Sequence, residues 1–211
     1  MRWLLLDLGG VLELVDDDAW PDALAARWAG EVGLTPQKFR AELRTLDLPR
    51  TDLVVGTEAA YWRSIGDHFA LPSVHLQRWR NEFWDAYCGT LNTELFAVVR
   101  SLRGTCGLAV LSNSGDGARE QEEARFALSD VFSPICYSHE IGHNKPDPEA
   151  FVAALSAMNA RPEAVLFIDD RPTNIDAACA QGMGAHCHTN NADTIAAIER
   201  FLNQPAMGPD A

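Results

Sequence analysis

Apolar positions follow three different patterns along the chain. Residues 2–8, Arg-Trp-Leu-Leu-Leu-Asp-Leu, form a nearly continuous apolar run that ends at Gly9-Gly10. That is the pattern of a strand buried on both faces and stopped by a tight turn. From about residue 19 to 88 the spacing becomes helical. Trp20, Leu24 and Trp28 share a face, as do Phe39, Leu43 and Leu46, then Trp62, Ile65 and Phe69, then Leu76, Trp79 and Phe83. Thr35-Pro36 and Leu71-Pro72 read as helix starts with proline in the first turn. The spacing predicts roughly three to five helices here, with no strand beyond a short one at Leu53-Val54-Val55.

After residue 90 the pattern alternates between helix and strand. Leu95, Val98, Val99 and Leu102 mark a helix, and residues 107–111 an apolar strand running into Ser112-Asn113-Ser114-Gly115. A polar helix over about 116–128 and a short strand at Ile135-Cys136-Tyr137 follow. Phe151, Leu155 and Met158 define a helix after Pro148, and residues 165–168 a strand ending at Asp169-Asp170. A helix over 174–181, a strand over 185–188 and a closing helix marked by Ile195, Ile198 and Leu202 complete the chain, leaving a Pro- and Gly-bearing tail. The alternation predicts an α/β fold, a doubly wound parallel sheet with helices on both faces and a helical insert after the first strand.

Composition changes this picture little. Of 211 residues, 47% are apolar, enough for a real core, and the 22% that are charged give no sign of wholesale disorder. The net charge of −13 matters more. It argues against a nucleic-acid partner, which calls for clustered Lys and Arg, and it requires a local cation at any site that handles phosphate. The five cysteines are odd in number and none stands in a C-x-x-C pair, so we expect free thiols in a reducing, cytoplasmic setting. Residues 1–12 are too short an apolar stretch for a signal peptide and contain Asp7. No run approaches the ~18 apolar residues of a membrane span.

In a sheet of this kind, ligands bind beyond the carboxyl ends of the strands. Asp7, Ser112 with Asn113, and Asp169 with Asp170 stand at such ends, and Lys145 precedes Pro146 just before a helix. Each has an ordinary alternative: Asp7 as a turn residue, Ser112-Asn113 as a common loop, Lys145 as part of a helix entry. The Asp169-Asp170 pair is harder to dismiss, since adjacent carboxylates repel unless a cation is near. His186-Cys187-His188 looks like a metal cluster, but strand alternation sends Cys187 to the opposite face and no fourth ligand is spaced to join it. His139 and His143 read as ordinary loop residues. Most of the tryptophans between residues 20 and 84 are expected to pack in a core, with one or two facing a cleft.

The order of these residues resembles the haloacid dehalogenase superfamily. Asp7-Leu8-Gly9-Gly10-Val11-Leu12 is similar to its first motif, Leu111-Ser112-Asn113 to its second, residues 138–148 with Lys145 to its third, and Phe167-Ile168-Asp169-Asp170-Arg171-Pro172-Thr173-Asn174 to its fourth. The resemblance implies a Rossmann-like core over 1–15 and 89–203, a helical cap over 16–88 and a flexible tail over 204–211. It implies a hydrolase that attacks a small phosphorylated compound, a sugar phosphate for example, through an aspartyl-phosphate on Asp7. Mg²⁺ would be held by Asp7, Asp170 and the Gly9 carbonyl, with Asp169 nearby or acting through water. Lys145 would bridge Asp7 and the phosphate, Ser112 would donate to a phosphoryl oxygen, and Asn113 and Gly10 would lie against the substrate. The partner implied is that small molecule, with no nucleic acid or membrane, and the protein a monomer or homodimer.

One position departs from the pattern. Most phosphatases of this family carry a second Asp two residues after the nucleophile, where this chain has Gly9. Loss of a general acid–base typically costs about 100- to 10,000-fold in rate. The leaving group then needs little help, or another group supplies the proton, with Glu13, Asp16, Asp17, His68 and His75 as candidates. Asp16 to Asp18 serve equally well as a helix cap. Two other readings stay open: a retired scaffold used for binding or regulation, and a 2-haloacid dehalogenase, which also lacks that Asp but needs no metal and no Asp-Asp pair.

Overall fold

The structure, a computed structural model, describes residues 1–15 and 19–204. Asp16, Asp17, Asp18 and the expected tail beyond Gln204 lie outside the described residues. The chain enters through β1 (Trp3–Leu6), turns at Gly9-Gly10 and forms the two-residue β2 (Glu13–Leu14). Four helices follow, α1 (Trp20–Glu31), α2 (Pro36–Thr45), α3 (Glu58–His68) and α4 (Ser73–Cys88), and the chain returns through β3 (Thr90–Leu91). It continues as α5 (Thr93–Ser101), β4 (Gly107–Ser112), α6 (Ala118–Phe126), β5 (Ile135–Tyr137), α7 (Ser138–Ile141), α8 (Pro148–Met158), β6 (Val165–Asp169), α9 (Pro172–Ala180), β7 (Gly184–Cys187) and α10 (Asn191–Asn203).

Five strands make one parallel sheet in the order β5-β4-β1-β6-β7. Alternation explains its two-sided core. Leu4 and Leu6 face one side with Leu108, Val110, Leu166 and Ile168, against Leu95 and Val99 of α5 and Ile198 and Phe201 of α10. Leu5 faces the other with Ala109, Leu111 and Phe167, against Phe151 and Ala154 of α8 and Ala178 of α9. Each fully buried side chain of this size contributes about 1.5–3 kcal/mol, so the apolar runs settle as the centre of the sheet. No helix among the described residues is long and apolar enough to cross a membrane.

The helices between β2 and β3 have a hydrophobic cluster of their own, built on Leu24, Trp28, Phe39, Trp62, Ile65 and Trp79. Trp28 and Trp79 stack with centroids 4.7 Å apart. Buried indoles need a partner for N–H, and each finds a carboxylate: Trp28 on Glu82 at 2.8 Å, Trp79 on Glu31 at 2.8 Å, Trp84 on Glu58 at 2.7 Å. As expected, most tryptophans here are core. The chain leaves and re-enters through an antiparallel pairing of Glu13 with Leu91 and Leu14 with Thr90, which the apolar pattern did not suggest because each strand is only two residues long.

Leu53-Val54-Val55 is a turn, not the short strand expected. Among the described residues no strand lies beside it; Val54 and Val55 are exposed, and the neighbouring carbonyls bond elsewhere, Thr51 O to the Asp116 N–H at 2.7 Å and Asp52 O to the Ser138 hydroxyl at 2.9 Å. This turn ties the helical insert to the sheet. Thr57, at the start of α3, spends its hydroxyl on Val54 O and makes no side-chain cap. The helix's unsatisfied N–H groups are taken from outside: the Asp116 carboxylate accepts from Thr57 N at 2.7 Å and Glu58 N at 2.8 Å. Partial burial pushes the Asp116 carboxyl up, but the N–H groups of Glu58, Gly56 and Thr57 outweigh it and hold it below its ordinary value. Asp116→Ala should therefore lower stability by about 1 kcal/mol, seen as a fall of about 2–4 °C in Tm. A depressed carboxyl stabilises above its unfolded pKa and loses that contribution as pH falls through its folded one. The gap between wild type and variant should thus be full at neutral pH and close in acid, which melts at several pH values would check.

Candidate functional site

Strand register assembles the site. Leu6 pairs with Val110 on one side and Ile168 on the other, and the next backbone N–H, that of Asp7, still bonds to Ile168 O at 2.9 Å. Asp7 therefore emerges between the ends of β4 and β6, beside Ser112 and Asp169. The buried Lys145 ammonium closes the gap, with Nζ 2.7 Å from Asp7 Oδ1 and 2.8 Å from Asp169 Oδ2. Asp169 also accepts from the Arg171 N–H at 2.9 Å and from Asn174 Nδ2 at 3.0 Å. The hydrogen bonds to Asp7, from Lys145 and from Leu8 N at 2.8 Å, both fall on Oδ1.

The predicted site residues meet here. Asp7, Ser112, Asn113, Lys145 and Gly9 line one cavity of about 400 Å³. Asp7, Asp169 and Asp170 each bring a carboxylate oxygen within 4.8 Å of the others. Gly10 stands beside Asp170. Its φ is +73°, and a Cβ there would fall 2.5 Å from Asp170 Oδ2, so the missing side chain makes room for that carboxylate. Asn113 uses its side chain to hold Lys145 in place, donating to Lys145 O at 2.8 Å and accepting from Lys145 N at 2.7 Å. That leaves its main chain as the part it can offer a ligand.

Among the described residues, Asp7, Asp169 and Asp170 gather their carboxylates where Lys145 bridges the first two, and the titration behaviour follows. Burial pushes Asp7 up to about 8 despite Lys145, with the Asp169 charge adding to the rise. Burial also disfavours charge on Asp169 and Lys145, but attraction wins: Lys145 holds Asp169 below the ordinary carboxylate range, and Asp7, ahead of Asp169, holds Lys145 above the ordinary amine value. The cluster is short of positive charge, and its donors are all oxygens. That suits a hard divalent cation such as Mg²⁺, and the space Gly10 leaves beside Asp170 is consistent with it.

Among the candidates to replace the missing second Asp, Glu13 lines the cavity and is 1% exposed. His68 is bound to Glu42 at 2.9 Å, and His75 lies on α4 away from the cavity lining. Asp16 and Asp17 lie outside the described residues. Trp20 and Tyr87 also line the cavity, so Trp20 is the tryptophan that faces the cleft. His139 corrects an expectation. It sits in α7, is 4% exposed and bonds through Nδ1 to the Ser114 hydroxyl at 2.8 Å; Ser138-His139-Glu140-Ile141 is a short helix rather than a loop. His143 is exposed, as a loop residue would be. His186 and His188 share one face, as alternation requires, and both bond to the Thr194 hydroxyl, at 3.1 and 2.7 Å.

Sequence reasoning gave no role to Asn174, whose placement in the first turn after a strand-end Asp was the available signal. It also missed Glu122, which is fully buried, accepts the Tyr137 hydroxyl and has no hydrogen-bond partner for Oε1 among the described residues. Burial pushes Glu122 up to about 8. One Glu among the three of a polar helix carries no mark of such a position.

Comparison with known proteins gives a family and a fold. The chain is 39% identical to flavin mononucleotide hydrolase 1 of Arabidopsis thaliana over 74 residues, 35% of this chain and 30% of that protein. It is 30% identical to the fructose-1-phosphate phosphatase YqaB of Escherichia coli over 91 residues, 43% of this chain and 48% of that protein. The chain thus spans less than half the length of either relative. A family enzyme from Bacteroides thetaiotaomicron, crystallised with magnesium and inorganic phosphate, shares the fold with a TM-score of 0.72 at 21% identity, covering 90% of this chain and 94% of that one. The haloacid dehalogenase-like hydrolase family matches residues 1–182. With that match over most of its length and the α/β sheet beneath it, the chain belongs to the haloacid dehalogenase-like hydrolases.

Proposed function

We propose that this hydrolase cleaves a small phosphate monoester in a Mg²⁺-dependent reaction, with Asp7 as the nucleophile. The observation that carries the reading is the Lys145 ammonium held between Asp7 and Asp169 at the floor of an open cavity, with Asp170 alongside. Asp7 Oδ2, which takes no hydrogen bond among the described residues, attacks phosphorus. The ester oxygen departs with the bonding electron pair and takes up a proton from solvent water, leaving an aspartyl-phosphate on Asp7. Water then attacks that phosphorus, releasing phosphate and restoring Asp7. Phosphoryl transfer rests on positioning and charge stabilisation. Lys145 offsets the phosphoryl charge, and Ser112 donates its hydroxyl to a phosphoryl oxygen. Asn113 and Asn174 keep Lys145 and Asp169 in place. Asp7, Asp170 and the Gly9 carbonyl would hold the metal, with Asp169 beside them; when bound, Mg²⁺ supplies the positive charge that the cluster lacks. Residues 16–88 serve as a cap over the cavity. The names of the two relatives, a flavin mononucleotide hydrolase and a fructose-1-phosphate phosphatase, favour phosphate monoesters.

The test is a panel of phosphate monoesters assayed with Mg²⁺ and with chelator. Hydrolysis that needs Mg²⁺ and vanishes in Asp7→Asn is expected. Hydrolysis in neither condition sinks the reading, and halide release from a 2-haloacid in chelator replaces it.

A further inference from the structure

Lys145 is placed by more than its ion pairs. Asn113 grips its peptide N–H and carbonyl from the sheet side. The residue before it, Asn144, is gripped from the helical insert: its Nδ2 donates to Asp52 Oδ2 at 2.9 Å. Asp52 lies between α2 and α3. We propose that Asp52 is a positioning residue for Lys145, making the placement of the ammonium depend, through Asn144, on the insert being docked against the sheet. The effect on placement goes beyond the phosphate-monoesterase reading; its consequence for rate rests on that reading.

Asp52 is itself well anchored. The Arg50 guanidinium meets both of its carboxylate oxygens at 2.8 Å. That pairing, with help from Asn144, outweighs partial burial and holds the Asp52 carboxyl below its ordinary value. Asn144 therefore donates to an ionised acceptor, the stronger kind of hydrogen bond. The backbone on either side is docked as well. Thr51 O accepts from Asp116 N at 2.7 Å, and Asp52 O accepts from the Ser138 hydroxyl at 2.9 Å. Residues 51 and 52 thus reach both the loop after β4, which carries Asn113, and the segment after β5, which leads to Lys145.

Asn144 passes the constraint on. Its carbonyl accepts from Asp147 N at 2.8 Å, closing a turn that contains Lys145 and Pro146. The turn moves with Asn144, and the Lys145 stem moves with the turn. Nζ has to lie 2.7 Å from Asp7 and 2.8 Å from Asp169 at once, so a backbone displacement of about 1 Å breaks at least one of these contacts. Misplacement on that scale can cost about 100-fold in rate. The Asp52 side chain is 41% exposed, so water replaces part of what its loss removes, and the expected cost is about a tenth of that.

Lys38 and Lys145 are the only lysines in the sequence, which gives a readout that needs no turnover. Lys38 is exposed and the Lys145 side chain is 1% exposed. Acetic anhydride followed by peptide mapping should therefore label Lys145 far more slowly than Lys38, since a buried amine reacts only in locally opened states. Asp52→Ala deletes the anchor, and Asn144→Asp sets two carboxylates against each other. Each should raise the Lys145-to-Lys38 labelling ratio by about 3- to 10-fold and lower kcat/KM for a phosphate monoester by a similar factor. The exchange Asp52→Asn/Asn144→Asp puts one amide and one carboxylate back across the contact and should return the ratio to within about twofold of wild type. As a control, Asn190→Ala removes the side chain that caps α10 through Asp193 N; it should lower Tm without moving the ratio. A ratio unmoved by Asp52→Ala and Asn144→Asp, raised as much by Asn190→Ala, or not recovered in the exchange overturns the proposal. Absence of hydrolysis in every form would count against the phosphatase reading instead, and the labelling would still decide the placement.

Discussion

Asp7→Asn should hydrolyse phosphate monoesters about 10⁴- to 10⁶-fold more slowly than wild type, the scale on which enzymes lose rate when a nucleophile is removed. Its melting temperature in chelator at neutral pH should not fall. Burial pushes the Asp7 carboxyl up to about 8. A raised carboxyl pKa means that the folded protein holds a proton the unfolded chain has released, so stability declines as pH climbs from the ordinary carboxylate range toward 8. Asparagine keeps the shape and removes that cost, while Lys145 retains Asp169 as a partner. Loss of activity without loss of stability would mark Asp7 as a residue held in a costly state for chemistry. Rates from single-turnover assays and melts of both proteins across pH would check the two halves separately.

Lys145→Met should have the largest effect on stability. The ammonium is 1% exposed and lies within 2.8 Å of two carboxylates, so its removal leaves buried negative charge uncompensated. Breaking such a pair from one side costs about 3–5 kcal/mol, which in a chain of this length is a fall of about 6–20 °C in Tm. Part of the loss should return with Mg²⁺, because a site stripped of its own cation gains more from an added one. Lys145→Arg should not rescue the protein, since the planar guanidinium is wider than the ammonium it replaces. Melts with and without Mg²⁺ would read all three effects. A Met variant as stable as wild type in chelator would contradict the charge account.

Much of this was legible in the chain. The runs at 2–8, 107–111 and 165–168 are apolar without alternation, which is how a two-faced central sheet is written, and all three became neighbours in that sheet. Polar residues directly after such runs mark the functional edge, and that alone collected Asp7, Ser112, Asn113, Asp169 and Asp170. Register was not legible. It is set by packing across strands, so the facing of Asp7 and Asp169 had to be seen. The antiparallel pairing of Glu13–Leu14 with Thr90–Leu91 was hidden because its partners are two residues each and stand far apart in the chain. The Asp116 contact with the start of α3 was hidden for a similar reason: a helix capped by its own Thr leaves a sequence mark, and one capped from another element does not. Val54-Val55 misled because β-branched residues suggest a strand wherever they occur, while only a neighbouring strand can make them one.

The most direct test of the central claim is mass spectrometry of the enzyme quenched in acid during turnover of a phosphate monoester with Mg²⁺. The account predicts one added phosphoryl group on the peptide containing Asp7, absent in Asp7→Asn and absent when chelator replaces the metal. Turnover with no adduct at Asp7, or an adduct on a different residue, would contradict it.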